Sequence, residues 1–288
     1  MGADLGCGKV LGESIQCPFH NWQYGADGHC TLIPNLDKIP PRARQVAYPT
    51  VERHGYVFFF NGREPLFPLP FFFDEAPETF VAGKIFSYVT DCTWFVNAAH
   101  GFDTQHFDAV HDRKLVAPPK IDCPTPFARR NSYRAEVLAR TFLDKLLRMF
   151  AGPMVDISIT NWGGTFVLIT GDFDRAHSRF LIATQPLEGG KTLCEGIVFA
   201  PRMHNPIARS LLEPITLALR RWFTHGYLQD EANRLLGTRY NPAAFISNDQ
   251  DMIDYYNWVA ALPQEVGTVK PAAQLTTPAK FAQITSHN

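Results

Sequence analysis

The sequence has no apolar run long enough to cross a bilayer. Its most hydrophobic stretches, near Val57–Phe60 and Phe166–Thr170, are strand-sized. It also lacks a basic region followed by an apolar core at its start, so no secretory leader is expected. Gly2 formally opens an acylation pattern, but the sixth residue is Gly6 and not Ser or Thr, which excludes that modification. A cytoplasmic location is the resulting expectation. Neither sign of charge is in excess: 27 Lys and Arg stand against 28 Asp and Glu. A chain so balanced offers no general polyanion-binding face, which argues against nucleic acid as a partner. Cysteine is scarce and scattered, at positions 7, 17, 30, 92, 123 and 194. That excludes a secreted disulfide framework. Three of the six fall in the first 30 residues, which points to metal chemistry or plain burial there.

Phenylalanine, in contrast, is plentiful, with 23 copies in 288 residues, and implies an apolar, aromatic interior. The length suits one large or two modest domains. Residues 1–66 read as all-β: glycines punctuate short apolar runs such as Val51–Phe60, with turn signals such as Ala26-Asp27-Gly28. A proline seam follows at Pro65, Pro68, Pro70 and Pro77, and the domain boundary is placed between residues 66 and 67. Beyond it a strand is expected over Lys84–Thr90 and a loop over residues 116–130. The runs Ser132–Phe142, Val155–Thr160, Gly164–Phe173, Arg179–Leu187 and Thr192–Ala200, joined by short turns, predict an antiparallel meander. Helical period returns over 205–236, and a last helix is expected over Asp249–Ala261. The polar tail after Pro263 is expected to be loosely held. The class is α+β.

Two segments carry metal-binding chemistry. In Asp103-x-x-His106-x-x-x-x-His111, Asp103 and His106 share a helix face. His111 lies five residues beyond His106, about 140° round an ideal helix at about 100° per residue. Both rings reach one ion only if the helix widens or breaks between them, so an irregularity is predicted there. Two histidines and a carboxylate that leave open positions suit a non-haem Fe(II). The other segment is Cys17-Pro18-Phe19-His20, a Cys-x-x-His step. It could contribute half of the two-Cys, two-His ligand set of a Rieske [2Fe–2S] centre. Cys7, Cys17, His20 and Cys30 could instead form a three-Cys, one-His zinc site, although their spacings do not make paired knuckles.

Taken with Asn21–Gly25, Tyr48–Glu52 and Asn248-Asp249-Gln250-Asp251-Met252-Ile253, these segments resemble the terminal (alpha) components of Rieske non-haem iron oxygenases over nearly the whole chain. The resemblance implies a partial all-β Rieske domain over 1–66. It is followed by a helix-grip (START/SRPBCC-like) catalytic domain over 67–288, with an antiparallel sheet curved round a long helix. It implies a 2Fe–2S cluster held in part by Cys17 and His20. It implies a mononuclear Fe(II) on His106, His111 and Asp249, with Asp251 the competing acid. Asp103 becomes an electron-transfer bridge, hydrogen-bonded to the neighbouring subunit's His20 in a homotrimer. A ferredoxin or flavin reductase supplies electrons. O2 then hydroxylates, demethylates or dihydroxylates a small apolar substrate, aromatic or steroid-like, with Phe95, Phe107, Phe166, Trp162 and Phe199 as candidate pocket walls. The family's first cluster loop, Cys-x-His, would fall immediately before Met1, so the cluster's ligand set is incomplete in this chain and a truncated reading frame is inferred. That gap keeps open a reading as a non-catalytic helix-grip ligand-binding protein or an inactive fragment. One departure concerns the iron motif itself. His100 stands where the family usually has Asn, and hydrogen bonding, proton transfer and simple packing are all open to it.

Overall fold

The computed structural model describes residues 3–110, 113–140 and 142–263. Their contacts divide the chain into two units, Met1–Leu69 and Pro70–Asn288. The first unit is all-β. Strands β1 (Lys9–Leu11), β2 (Ser14–Gln16), β3 (Gln23–Gly25) and β4 (Cys30–Leu32) pair antiparallel in that order. Tyr24, Cys30 and Ile33 form their small core, with Ile15 and Trp22 packed against it. A separate hairpin joins β5 (Thr50–Arg53) to β6 (Tyr56–Phe59). Its two loop residues, His54 and Gly55, both have positive φ, 57° and 79°, the combination that a two-residue hairpin turn needs to match the twist of its strands.

The second unit is a nine-stranded antiparallel sheet with a long helix against it. Its strands are β7 (Phe80–Ala82), β8 (Phe86–Thr90), β9 (Arg113–Leu115), β10 (Lys120–Thr125), β11 (Ala128–Val137), β12 (Met154–Trp162), β13 (Phe166–Phe173), β14 (His177–Pro186) and β15 (Thr192–Pro201). The main path runs β10-β11-β12-β13-β14-β15-β7, with β9 also on β11 and β8 also on β15. Helix α1 covers Trp94–Ala99, α2 Thr104–Val110, α3 Phe142–Ala151, α4 Pro206–Arg234 and α5 Gln250–Ala261. Helix α4 lies against β15 and β8. It starts where Asn205 accepts from Ile207 N and Ala208 N at 2.9 and 3.2 Å, with Pro206 at the first helical position, where a missing N–H costs nothing.

The expected α+β class and antiparallel meander are therefore what the chain adopts. Two local expectations fail. The loop over 116–130 contains β10. It is an edge strand whose register shifts between Asp122 and Thr125, around Pro124, and an edge or bulge is where a sheet tolerates proline. The strand expected over Ser132–Phe142 ends at Val137, and α3 begins at Phe142. The tail beyond Pro263 lies outside the described residues.

Burial sorts the cysteines. Cys92 and Cys194 are fully buried, whereas Cys7 and Cys123 are exposed. Loss of hydration disfavours the thiolate and pushes Cys194 from its ordinary 9.0 up to about 11. The native state thus keeps a proton that the unfolded chain releases near pH 9. Its contribution to stability is present below that pH and lost as pH rises through about 11. At pH 8 a thiol-alkylating reagent should label Cys7 and Cys123 in the native protein, and Cys92 and Cys194 only after unfolding, as peptide mass mapping would read.

Candidate metal centre

The centre is built on a broken helix. After α1 the chain makes one tighter 3-10 turn, His100–Phe102, and then leaves helical conformation at Asp103 (φ −84°, ψ 99°). The Asp103 carboxylate restarts it: Oδ1 accepts from Gln105 N at 3.0 Å and His106 N at 3.2 Å, an N-cap for α2. On an unbroken helix, residues six apart would point about 120° away from each other, given about 100° per residue. The break at Asp103 instead folds His100 onto His106, with ring centroids 3.9 Å apart. The turn is pinned from two sides. Phe102 is fully buried and stacks on Tyr255 of α5 at 4.7 Å. Asn131 of β11 donates from Nδ2 to Gly101 O at 3.1 Å. Gly101 has to be small, because a Cβ there would come within 2.8 Å of Ile159 Cγ2.

A carboxylate from α4 closes the group. Glu231 Oε2 lies 3.0 Å from His106 Nε2 and 3.0 Å from His100 Nε2, and the two ring nitrogens are 2.7 Å apart. The three side chains retain only 12%, 19% and 10% exposure for His106, His100 and Glu231. Among the described residues, this is the one group of three metal-ligating side chains whose ligand atoms converge. The group also opens on a substrate-sized space. His100 and Glu231 line a cavity of about 690 Å³, walled largely by apolar side chains from the sheet, α2, α3 and α4, including Phe107, Tyr133, Ile159 and Leu228.

The residues expected from the sequence divide as follows. His106 is in the group. Asp103 caps α2 through Oδ1. His111 lies outside the described residues, as does the irregularity expected just before it; the break within the described residues is at Asp103. Asp249 sits at the start of α5, where Oδ2 accepts from Ile246 N at 2.9 Å and Oδ1 from Gln105 Nε2 at 3.4 Å. Asp251 Oδ2 accepts from Thr104 Oγ1 at 3.3 Å. Both acids thus touch the first turn of α2 but stand outside the converging group. Glu231 was not anticipated. Its signal is an acid within the buried stripe Thr224, Leu228, Glu231 and Ala232 of an otherwise amphipathic helix. Of the expected pocket walls, Phe107 lines the cavity. Phe95 packs instead on Tyr240, Trp162 on Phe73, and Phe199 on Phe71 and Phe72; Phe166 is also absent from the wall among the described residues.

In the first unit, Cys17 and His20 occupy the hairpin loop between β2 and β3. Cys17 N donates to Trp22 O at 2.8 Å and Asn21 N to Cys17 O at 3.1 Å, and Asn21 takes a positive φ of 60° to close the loop. His20 is exposed beside Phe19, while Cys17 is half-buried. The loop offers one sulfur and one imidazole. The zinc alternative does not form among the described residues: Cys7 is exposed, Cys30 is buried, and neither joins Cys17 and His20 in a converging set.

The family model described as "Rieske [2Fe-2S] domain" matches residues 1–48. Over 70 residues, 24% of this chain, the sequence is 44% identical to the oxygenase component of 3-ketosteroid-9-alpha-monooxygenase from Rhodococcus rhodochrous. Such local matches are short on the relatives' side: that stretch spans 18% of the relative's length, and another of the kind spans 21%. The component of the same name from Mycobacterium tuberculosis aligns at 24% identity over 94% of this chain and 72% of its own length. Among solved structures, NdmA of Pseudomonas putida CBB5, a QL mutant with theobromine, superposes with a TM-score of 0.60 at 20% identity. It covers 89% of this chain and 73% of that one.

Proposed function

This chain belongs to the oxygenase (alpha) subunits of the Rieske oxygenases, and from that premise we propose that it oxygenates an apolar substrate at a mononuclear Fe(II) beside His106. The observation that carries the proposal is a group of two imidazoles and a carboxylate on the wall of a largely apolar cavity. That donor set fits Fe(II), since neutral imidazoles suit a borderline cation, a carboxylate offsets its charge, and open positions remain for O2. When bound, the iron supplies reductive activation of O2. That activation would allow one oxygen atom to enter a substrate C–H bond while the other leaves as water, with two electrons from the reductase and two protons.

The remaining roles belong to the chain's own residues. The apolar wall excludes water and selects an apolar substrate, in keeping with cavities of about 300–1,000 Å³ that bind small molecules. His106 is an iron ligand, and His111 and Asp249 accompany it in the motif. Cys17 and His20 contribute to a 2Fe–2S cluster that a ferredoxin or reductase reduces. Asp103 holds α2 with Oδ1, which leaves Oδ2 to accept a hydrogen bond from the neighbouring subunit's His20 in a homotrimer.

The test is product analysis under 18O2. Fe(II)-loaded protein with ascorbate as electron donor is offered a panel of steroids, N-methylated purines and substituted aromatics. The expected result is a hydroxylated or demethylated product from at least one class, with one 18O atom per turnover. Tight binding of a panel compound without any product, on protein whose iron content has been verified, would favour the alternative of a non-catalytic ligand-binding protein. The size and apolar lining of the cavity lend that alternative its support.

A further inference from the structure

We propose that the cavity of the second unit takes an elongated apolar carboxylate, and that Arg220 of α4 holds the acid group at the end remote from His106. The proposal rests on the reading of this cavity as the substrate site and deepens it by naming the substrate class.

The first argument is length. Arg220 and Glu231 both line the cavity, and both belong to α4. At about 1.5 Å per residue they stand about 16 Å apart along the helix axis. At about 100° per residue they come within about 20° of each other round it, so they share one face. Thr224, Tyr227 and Leu228 line the same cavity between them. Glu231 marks the end next to the centre, 3.0 Å from His106 Nε2. The cavity thus runs about three helical turns along α4, with largely apolar walls between its two ends. A compact acid cannot touch Arg220 and still present a carbon atom near His106, whereas an elongated one can.

The second argument is charge. Three arginines line the cavity. Arg113 is engaged by Asp144 at 2.9 Å, and Arg179 by Glu75 and Asp172 at 2.8 Å each. Asp172 is further engaged by His177 Nδ1 at 2.8 Å. Arg220 has no ion pair among the described residues. Its Nη1 donates to the backbone carbonyl of His177, at the start of β14, which carries the side chain across from α4 to the sheet. A guanidinium presents its N–H donors as a planar fork that matches a carboxylate. The Nε and Nη2 donors of Arg220 make no hydrogen bond among the described residues, so part of that fork is available. Burial, and then the neighbouring charge of Arg179, push the guanidinium down from its ordinary value, and an arriving anion offsets both effects. One fixed charge at the end of an apolar cavity is the kind of polar group that orients a small molecule.

The experiment is isothermal titration calorimetry of the full chain with three probes. They are cholanoic acid (a tetracyclic body with a side-chain carboxylate), its methyl ester, and benzoate as a compact acid. Wild type should bind cholanoic acid about 10–100-fold more tightly than the ester, the range of a hydrogen bond to a charged group, and more tightly than benzoate. Arg220→Gln should weaken the acid by about the same factor and leave the ester within about twofold, whereas a packing role would weaken both alike. Arg220→Lys keeps the charge without the fork and should retain part of the preference. Circular dichroism checks that each variant folds; if Arg220→Gln does not, the wild-type ratio and its reduction in Arg220→Lys decide. Equal affinity of wild type for acid and ester, binding of neither, or an acid preference that survives Arg220→Gln overturns the proposal. These measurements need neither iron nor turnover, so such a result leaves the oxygenase reading to the 18O2 experiment. Failure of that experiment with the acid preference intact would defeat the oxygenase reading and not the assignment of Arg220.

Discussion

His106→Ala should strip the metal from the second unit and lower product formation at least about 10³-fold, since a catalytic metal contributes several kcal/mol of transition-state stabilisation and each 1.36 kcal/mol is tenfold in rate. The size of the effect follows from where His106 stands. It is the residue shared by the motif's ligand set and by the converging group, and its ring is held by the break at Asp103 and by the cap on its own N–H. Alanine keeps α2 and its cap but removes the nitrogen. The metal-free variant should therefore fold much like the metal-free wild type. The difference appears when metal is added. At a free concentration of 100 times Kd, a bound ligand stabilises the native state by about 2.7 kcal/mol. That increment should be seen in the wild-type melting curve and be absent from the variant, with metal content and product formation measured on the same samples.

Phe102→Ala should produce the largest loss of stability without touching a ligand. Phe102 is fully buried and stacks on Tyr255, which is itself fully buried, so the ring has no route to relax outward. Emptying such a site costs about 3–5 kcal/mol, the transfer of the ring plus the cavity left behind. At about 2–4 °C per kcal/mol for a unit of this size, Tm should fall by roughly 6–20 °C. The variant should also bind metal more weakly, because the His100–Phe102 turn loses its anchor on α5 and the two imidazoles are no longer held together. Thermal denaturation and a Co(II) titration separate these effects. A large drop in Tm with unchanged affinity would mean that the turn is held by Asn131 and Asp103 alone.

Much of this was legible because it rests on local patterns. The amphipathic period of 205–236 yields α4, and alternation yields the central strands, including β8, where Phe86, Tyr88 and Thr90 point inward and Ser87 and Val89 outward. The Cys17–His20 step, legible as a Cys-x-x-His pattern, sits in the hairpin loop between β2 and β3. What was not legible rests on contacts distant in sequence or on local rules that competed. Glu231 lies 125 residues from His106. No spacing rule joins them, and a single acid in an apolar stripe is easily taken for a solvated break. Strand β10 hid behind prolines that its place at the sheet edge tolerates. Helix α3 hid because its apolar residues follow those of β11 without an intervening run of Gly or Pro. The break at Asp103, which folds His100 onto His106, is set by Asp103 and by tertiary contacts to Tyr255 and Asn131, and the His106–His111 spacing carries no sign of it.

The most direct test of a mononuclear metal centre at His106 is a crystal structure of the full chain grown with Fe(II) or Co(II), with anomalous scattering recorded at the metal edge. The account predicts one strong peak in the second unit, about 2.1 Å from His106 Nε2, with a carboxylate and a second imidazole completing a face. A peak bonded to residues that do not include His106, or no peak in crystals grown at saturating metal, would contradict it.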